Sequence, residues 1–160
     1  MIFYHASKTK HEIGDTLTHT QSNTCKYYPD VNIALEKVKP QGMLGRDNAI
    51  YITNDSAFAK HFISSQHKQS KTFIYEVSTT DEPSGHPFAV IHQINKHINN
   101  LNGSKVNVLA LEYWQPSQQW KFYEYLVSNI TITGIIEVDD NDIILATLSY
   151  QDDISLATSI

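Results

Sequence analysis

The sequence contains a single cysteine, Cys25, among its 160 residues. One cysteine excludes an intramolecular disulfide and any metal site built from several thiolates. A chain of this length buries enough apolar surface to fold without disulfides or structural metal sites. We interpret Cys25 as a spectator thiol in a loop rather than as a nucleophile.

Long apolar runs are also missing. No stretch approaches the roughly 20 consecutive apolar residues that cross a bilayer. The chain begins directly with the strand-like segment Ile2-Phe3-Tyr4-His5, so no charged leader and apolar core precede it. We therefore expect a cytoplasmic protein with no membrane partner, unless a secretion system that needs no signal peptide exports it.

Basic residues are fewer than acidic ones, 12 against 17, which gives a formal net charge of −5. This balance argues against a surface dedicated to coating DNA or RNA. Hydrophobic residues make up 41% and charged residues 18% of the chain, which is typical of a globular protein and not of a disordered one.

Several motifs of known chemistry are absent from the sequence. It has no Gly-x-Gly-x-x-Gly and no Gly-Lys-Ser/Thr, which argues against Rossmann and P-loop folds, and the absence of Gly-x-Ser-x-Gly leaves serine-hydrolase chemistry poorly supported. The pairs His61/His67 and His92/His97 are 6 and 5 positions apart. Neither spacing places two imidazoles on one helical face as i, i+4 would, so we expect no metal site.

Apolar residues recur with two periods along the chain, one typical of strands and one of helices. The predicted strands are residues 2–5, 49–53, 72–78, 106–114, 124–127 and 130–138, and the predicted helices are residues 31–38, 57–65 and 89–99. Residues 6–22 are predicted to be a loop, 83–87 a turn, and 139–160 an edge hairpin or a tail. No repeat or linker interrupts this order, which predicts one α+β domain, residues 1–160, built on antiparallel sheets.

Three short segments carry candidate chemistry. In the first segment a histidine ends a strand, in the sequence Phe3-Tyr4-His5-Ala6-Ser7. The second segment is a strand that leads into a helix containing Phe62, and its sequence is Ala49-Ile50-Tyr51-Ile52-Thr53. The third segment holds a carboxylate among apolar residues, in the sequence Trp120-Lys121-Phe122-Tyr123-Glu124-Tyr125-Leu126-Val127. Taken singly, each has a structural explanation: a strand-ending histidine, core aromatic residues, and a glutamate on the outward face of a strand. Acidic side chains are seldom buried without a partner, so Glu124 invites a functional explanation.

Together, the three segments resemble the ADP-ribosyltransferase superfamily. The resemblance is to the His-Tyr-Glu branch, which includes diphtheria-like toxins, poly-ADP-ribose polymerases and rifampicin-modifying enzymes. Their order is that of the branch, and Phe62 follows Tyr51 by 11 positions, as the second aromatic residue does there. The resemblance covers residues 2 to about 138 and implies split antiparallel β-sheets flanked by short helices.

The resemblance also implies a role for each matching residue, with NAD+ as co-substrate and no metal. His5 is expected to bind a hydroxyl of the nicotinamide ribose, and the backbone of Ala6 the nicotinamide carboxamide. Tyr51 and Phe62 are expected to enclose the cationic pyridinium ring, which gains stacking and cation–π attraction. Glu124 is expected to bind the ribose 2′-hydroxyl and to stabilise the cation that develops as nicotinamide leaves.

Three further residues are candidates for binding NAD+. Arg46 precedes the Tyr51 strand, and a guanidinium suits a pyrophosphate, although a solvated loop arginine explains it equally well. Ser7 is a candidate for assisting at the ribose, and Thr53 for supporting the strand end.

Two departures from the family pattern bear on the activity. Ala6 stands where the family often has glycine, which an ordinary backbone conformation would tolerate. Phe122 stands where arginine-modifying members have Glu or Gln, so we expect an acceptor other than arginine: a protein side chain, a nucleic acid or a small molecule. An inhibitor or antitoxin is a possible partner of such a toxin or effector.

Two other carboxylates compete with Glu124 for the catalytic role. Glu112 lies before a loop that, with Trp114 and Trp120, is a candidate acceptor-facing surface. Glu137 leads into an acidic turn, for which solvation is the simpler role.

The favoured function is that of an NAD+-dependent mono-ADP-ribosyltransferase. Four alternatives stay open. They are NAD+ glycohydrolase activity, RNA 2′-phosphotransferase activity (which typically has histidine where this chain has Tyr51), a binding module without catalysis, and a chance match. A chance match predicts a solvent-facing Glu124 far from His5.

Overall fold

The computed structural model describes residues 1–18 and 28–160 of the chain. Within them, the strands are β1 (Phe3–Ser7), β2 (Thr16–Thr18), β3 (Ile50–Thr53), β4 (Phe73–Ser78), β5 (Gly85–Pro87), β6 (Tyr123–Val127) and β7 (Asn129–Ile136). The helices are α1 (Pro29–Lys37), α2 (Ser56–Gln66), α3 (Phe88–Asn99), α4 (Gly103–Trp114) and α5 (Asp140–Ser159), and a 3-10 turn, Arg46–Asn48, precedes β3. The interpretation of Cys25 falls outside the described residues.

The strands form a seven-stranded sheet in the order β2-β7-β4-β1-β3-β6-β5, with antiparallel neighbours. This confirms the α+β class and the antiparallel sheet. The weakest junction lies beside the central strand, where β1 and β3 pair at one position, Tyr4 opposite Thr53. By contrast, β1 pairs with β4 along all five of its residues.

The two faces of β6 pack against different partners because successive strand residues point in opposite directions. Leu126 joins the core cluster formed with α1, α3 and α4. Tyr125 and Val127 join a second cluster formed by strand residues. Glu124 is two positions from Leu126 and therefore lies on the helical side of the sheet.

Helix α4 replaces the extended segment predicted for residues 106–114, so that prediction is wrong. Asn102 caps the helix, its side chain accepting a hydrogen bond from the Lys105 backbone N–H at 3.3 Å. Leu109 and Tyr113 are fully buried, while Leu111 is 47% exposed. The buried positions follow a helical spacing, and the exposed apolar residues between them hide it in the sequence.

Helix α5 likewise replaces the hairpin or tail predicted for residues 139–160. The Asp139 side chain accepts a hydrogen bond from the Asn141 N–H at 2.7 Å and caps the helix. Its buried positions are Ala146, Asp153 and Ala157, which are small or polar. The large apolar residues of this segment, such as Leu148, are exposed, so the sequence pattern does not mark the buried face.

Two short strands were also missed by the sequence pattern. β2 lies inside the predicted loop of residues 6–22, of which 19–22 are outside the described residues, and β5 lies inside the predicted turn of residues 83–87. Both are three residues long and lie at the two edges of the sheet, where periodicity has little room to develop. None of the helices in residues 1–18 and 28–160 is both long enough and apolar enough to span a membrane.

Candidate active site

A cavity of about 500 Å³ is lined by residues of β1, β3, α2 and β6 and by the turn before β3. This volume falls in the range of small-molecule and cofactor sites. All eight site residues predicted from the sequence line it: His5, Ala6, Ser7, Arg46, Tyr51, Thr53, Phe62 and Glu124. Residues that are more than 100 positions apart in the chain are thereby brought to one place.

Glu124 lies in β6 opposite Thr53 and is only 2% exposed. Its Oε1 lies 2.9 Å from Nε of Arg46, and its Oε2 accepts a hydrogen bond from Nη2 of Arg46 at 3.2 Å. Oε1 also accepts a short hydrogen bond from the hydroxyl of Tyr113. A chance match predicts that Glu124 faces solvent. That prediction is wrong, because this carboxylate is buried and paired.

Arg46 is 5% exposed, so the interpretation as a solvated loop arginine is also wrong. Its Nη1 donates to Oδ1 of Asn32 at 3.3 Å, and its guanidinium carbon lies 5.1 Å from the centre of the Tyr51 ring. Burial lowers the pKa of Arg46, but Glu124, Tyr113 and Tyr51 together more than offset this effect and the pKa is raised. The side chain is thus a permanent cation directed at Glu124.

His5 donates a hydrogen bond from Nδ1 to the backbone carbonyl of Tyr51 at 2.9 Å. A carbonyl oxygen only accepts, so this contact fixes the tautomer that carries its proton on Nδ1. Burial in the cavity wall lowers the pKa of His5 and keeps the ring neutral near pH 7. The remaining nitrogen, Nε2, is then an acceptor suited to a substrate hydroxyl.

Tyr51 and Phe62 supply aromatic surface from two elements, β3 and α2. The Tyr51 hydroxyl donates to the backbone carbonyl of Arg46 at 2.6 Å, which fixes the ring beside the guanidinium. Phe62 packs edge-on against Phe88, with ring centres 4.6 Å apart. Both rings are held by other protein groups and line the cavity.

Ala6, Ser7 and Thr53 lie in or next to the strands that meet at the weak junction. Ala6 pairs with Ile74 within β1, and no positive φ is found there, so glycine is not required. The Ser7 hydroxyl accepts from the Thr9 N–H at 3.0 Å. The Thr53 hydroxyl donates to the Asp55 carbonyl at 3.0 Å, at the end of β3.

Glu112 and Glu137, the two other candidates for the catalytic carboxylate, do not line the cavity. Glu112 is buried and accepts hydrogen bonds from the backbone of Ser117 at 2.9 Å and from the indole of Trp120 at 3.0 Å, so it holds the loop that precedes β6. Glu137 is exposed. Trp114 and Trp120 are 3% and 6% exposed, so the prediction that they form an acceptor-facing surface is wrong.

Tyr113 and His86 are site-supporting residues that the sequence did not reveal. Tyr113 was assigned to an extended segment, and its place on α4 brings its hydroxyl to Glu124. His86 lies opposite Glu124 in the β5–β6 pairing and stacks on Tyr113 with ring centres 4.7 Å apart. These contacts join the sheet to the helical layer, which no local pattern predicts.

Comparisons with protein-family models, with curated proteins and with solved structures give no match. Across residues 1–18 and 28–160, no group of three or more His, Cys, Asp or Glu side chains is arranged to hold a metal ion.

The free energy of unfolding is expected to fall as the pH drops below 6.5, the ordinary pKa of histidine. The pKa values of His5 and His86 are both lowered by burial in the folded chain, so the unfolded chain binds protons more readily. Their contribution is complete above pH 6.5 and is lost as the pH falls toward the lowered values. Denaturant titrations at several pH values measure this dependence.

A conservative substitution isolates the share of His5 in this pH dependence. His5→Asn keeps a side-chain N–H near the position of Nδ1 but does not titrate, so we expect a weaker pH dependence than in the wild type. An unchanged dependence on pH would contradict the assignment of a neutral His5 in the cavity wall.

Proposed function

We propose that this chain is an NAD+-dependent mono-ADP-ribosyltransferase that cleaves the nicotinamide–ribose bond and transfers ADP-ribose to an acceptor. One observation carries the proposal. The eight residues selected from sequence motifs alone, in segments spread from position 5 to position 124, line one cavity of about 500 Å³. A chance match would not be expected to bring them together.

The arrangement of charges suits the bond cleavage. The C1′–N bond breaks with its electron pair leaving on nicotinamide, and positive charge develops on the ribose. A carboxylate fixed beside that charge lowers the barrier because it needs no reorganisation during the reaction. Arg46 and Tyr113 hold Glu124 in this way. The acceptor then supplies the electron pair of the new bond to C1′ and releases a proton.

Neutral His5 and the aromatic side chains are suited to binding the nicotinamide riboside. Nε2 of His5 is available to accept from a ribose hydroxyl, since Nδ1 is committed to the Tyr51 carbonyl. Tyr51 and Phe62 offer aromatic surface to a flat cationic ring. The structural features of the cavity thus match the two parts of the ligand nearest the scissile bond.

We place the pyrophosphate of NAD+ next to Lys8 rather than Arg46. Arg46 is already paired with Glu124, which is the one acidic residue among the described residues lining the cavity, whereas Lys8 lines the cavity and is exposed. The loop that carries Lys8 is held by Tyr75, whose hydroxyl accepts from the His11 N–H at 2.7 Å and donates to the Thr9 carbonyl at 3.2 Å. His11 also lines the cavity, and a ring N–H of histidine is a donor for phosphate oxygens.

Lys8→Gln is expected to weaken NAD+ binding about fivefold, the scale of one exposed charge-assisted contact. The matched control is Lys10→Gln, which removes the same charge from the same loop outside the cavity lining, and it should leave the dissociation constant unchanged. Calorimetric titration with NAD+ measures both. Equal weakening in the two variants would mean that the effect is one of net charge only.

The proposal is tested by incubating the purified chain with NAD+ labelled in the adenylate half, with and without a cell lysate as acceptor source. Nicotinamide release stimulated by lysate, with label joined to an acceptor, supports transfer. Release that lysate does not stimulate would make the chain an NAD+ glycohydrolase. NAD+ binding without release would make it a binding module, and neither binding nor release would reject the proposal.

A further inference from the structure

We infer that Tyr113 is a positioning residue for Glu124, and that Oε2 of Glu124 is the oxygen that receives the hydroxyl of the nicotinamide ribose. The inference rests on the proposed function and extends it to a side chain outside the cavity lining. It follows from how the hydrogen-bonding capacity of the carboxylate is used.

The two carboxylate oxygens of Glu124 differ in their contacts. Oε1 faces both Nε of Arg46, at 2.9 Å, and the hydroxyl of Tyr113. Within the described part of the chain, Oε2 accepts one hydrogen bond, from Nη2 of Arg46 at 3.2 Å. Oε1 accepts from Tyr113 and is also covered by the charged Nε of Arg46, which lies 2.9 Å away without forming a hydrogen bond, whereas Oε2 has that one contact and retains an acceptor position for a ligand.

Tyr113 contributes a donor that Arg46 cannot replace. Arg46 approaches from the turn before β3, whereas Tyr113 approaches from α4, so the carboxylate is held from two directions. Contacts from two directions prevent rotation of the carboxylate about its Cγ–Cδ bond. Without Tyr113, the Arg46 contacts alone would orient the carboxylate, which could then tilt with the arginine side chain.

The Tyr113 hydroxyl is itself fixed by its surroundings. The side chain is fully buried, and burial raises its pKa well above the ordinary value, so the group remains a donor. His86 stacks on the ring at 4.7 Å with an interplanar angle of 19°, and its Nδ1 donates to the Tyr113 carbonyl at 2.9 Å. Trp114 packs edge-on at 4.8 Å. A ring enclosed on these sides holds its hydroxyl in one direction.

Orientation of this kind acts on the chemical step more than on binding. A catalytic group displaced by about 1 Å can lower the rate by a factor of about 100. Tyr113 does not line the cavity, so removal of its hydroxyl takes no contact away from bound NAD+. The expected signature is therefore a lower kcat for nicotinamide release with little change in affinity.

The test is Tyr113→Phe, which keeps the ring and its stacking on His86 and removes only the hydroxyl. We expect kcat to fall about 10- to 100-fold, with the dissociation constant for NAD+ changed less than about threefold. The matched control is Tyr125→Phe, one position from Glu124 on the opposite face of β6, which should retain wild-type kcat. Thermal unfolding of each variant reports on folding.

A double variant separates positioning from a general structural effect. If Tyr113 acts through Glu124, adding Tyr113→Phe to Glu124→Gln should cost no further activity, whereas independent structural damage would add to the loss. Further loss in the double variant, or wild-type kcat in Tyr113→Phe, would overturn the inference while leaving the proposed function intact. Absence of NAD+ turnover in the wild type would overturn both.

Discussion

Nicotinamide release from NAD+ is expected to fall about 100- to 1,000-fold when Glu124 is replaced by glutamine, while NAD+ still binds. Glutamine has nearly the same shape as glutamate but no charge, so it cannot stabilise the cation that develops on the ribose. The loss should appear in kcat, because that charge is absent in bound NAD+ and present in the transition state. Steady-state release of nicotinamide and calorimetric titration with NAD+ measure the two quantities.

The control for this variant must account for the burial of Glu124. Glu112→Gln also removes a buried carboxylate, from the same helix that carries Tyr113, but Glu112 binds the loop before β6 and does not line the cavity. We expect Glu112→Gln to lower stability and to retain most of the activity. Equal losses of activity in the two variants, or none in Glu124→Gln, would remove Glu124 from the catalytic role.

Elements with a clear period and a clear cap could be predicted from the sequence. Helix α2 was expected at residues 57–65, and the structure has it at Ser56–Gln66, with Asp55 accepting from the Phe58 N–H at 2.8 Å. Strand β4 was expected at residues 72–78 and is found at Phe73–Ser78. In these segments the intrinsic secondary-structure propensity and the pattern of buried residues indicate the same element.

Helix α4 could not be predicted because two of its apolar residues, Val108 and Leu111, are about half exposed. Their side chains complete an alternating pattern that is typical of a strand. The helix is decided instead by the Asn102 cap and by the burial of Leu109 and Tyr113 against other elements. Burial of this kind depends on tertiary packing, which a local pattern does not contain.

The sequence predicted residues that line one cavity, but it did not predict their contacts with one another. His5, Tyr51 and Glu124 could be selected because each stands in a recognisable segment. The pairing of Arg46 with Glu124 joins residues 78 positions apart, and the sequence, which made Arg46 a candidate pyrophosphate ligand, did not reveal this contact. The register of β3 with β6 determines which cation contacts which anion. The residue types alone do not specify that pairing.

The largest effect on stability is expected from Arg46→Met. Removal of one partner of a buried ion pair leaves the other charge without compensation and typically costs about 3–5 kcal/mol of unfolding free energy. Arg46 and Glu124 have side-chain exposures of 5% and 3%, so solvent cannot take over the missing contact. Denaturant unfolding of Arg46→Met measures the cost, which should exceed that of any exposed ion pair in the described chain.

Lys121→Met is the matched control, because Lys121 pairs with Asp152 at the surface, with exposures of 52% and 68%. Its expected cost is below about 1 kcal/mol. The double variant Arg46→Met/Glu124→Leu removes both buried charges and should recover most of the stability lost in Arg46→Met. A cost in Arg46→Met no larger than in the control would mean that Glu124 is solvated. A solvated Glu124 would in turn have no need of Tyr113, so this measurement also bears on the argument for a fixed carboxylate.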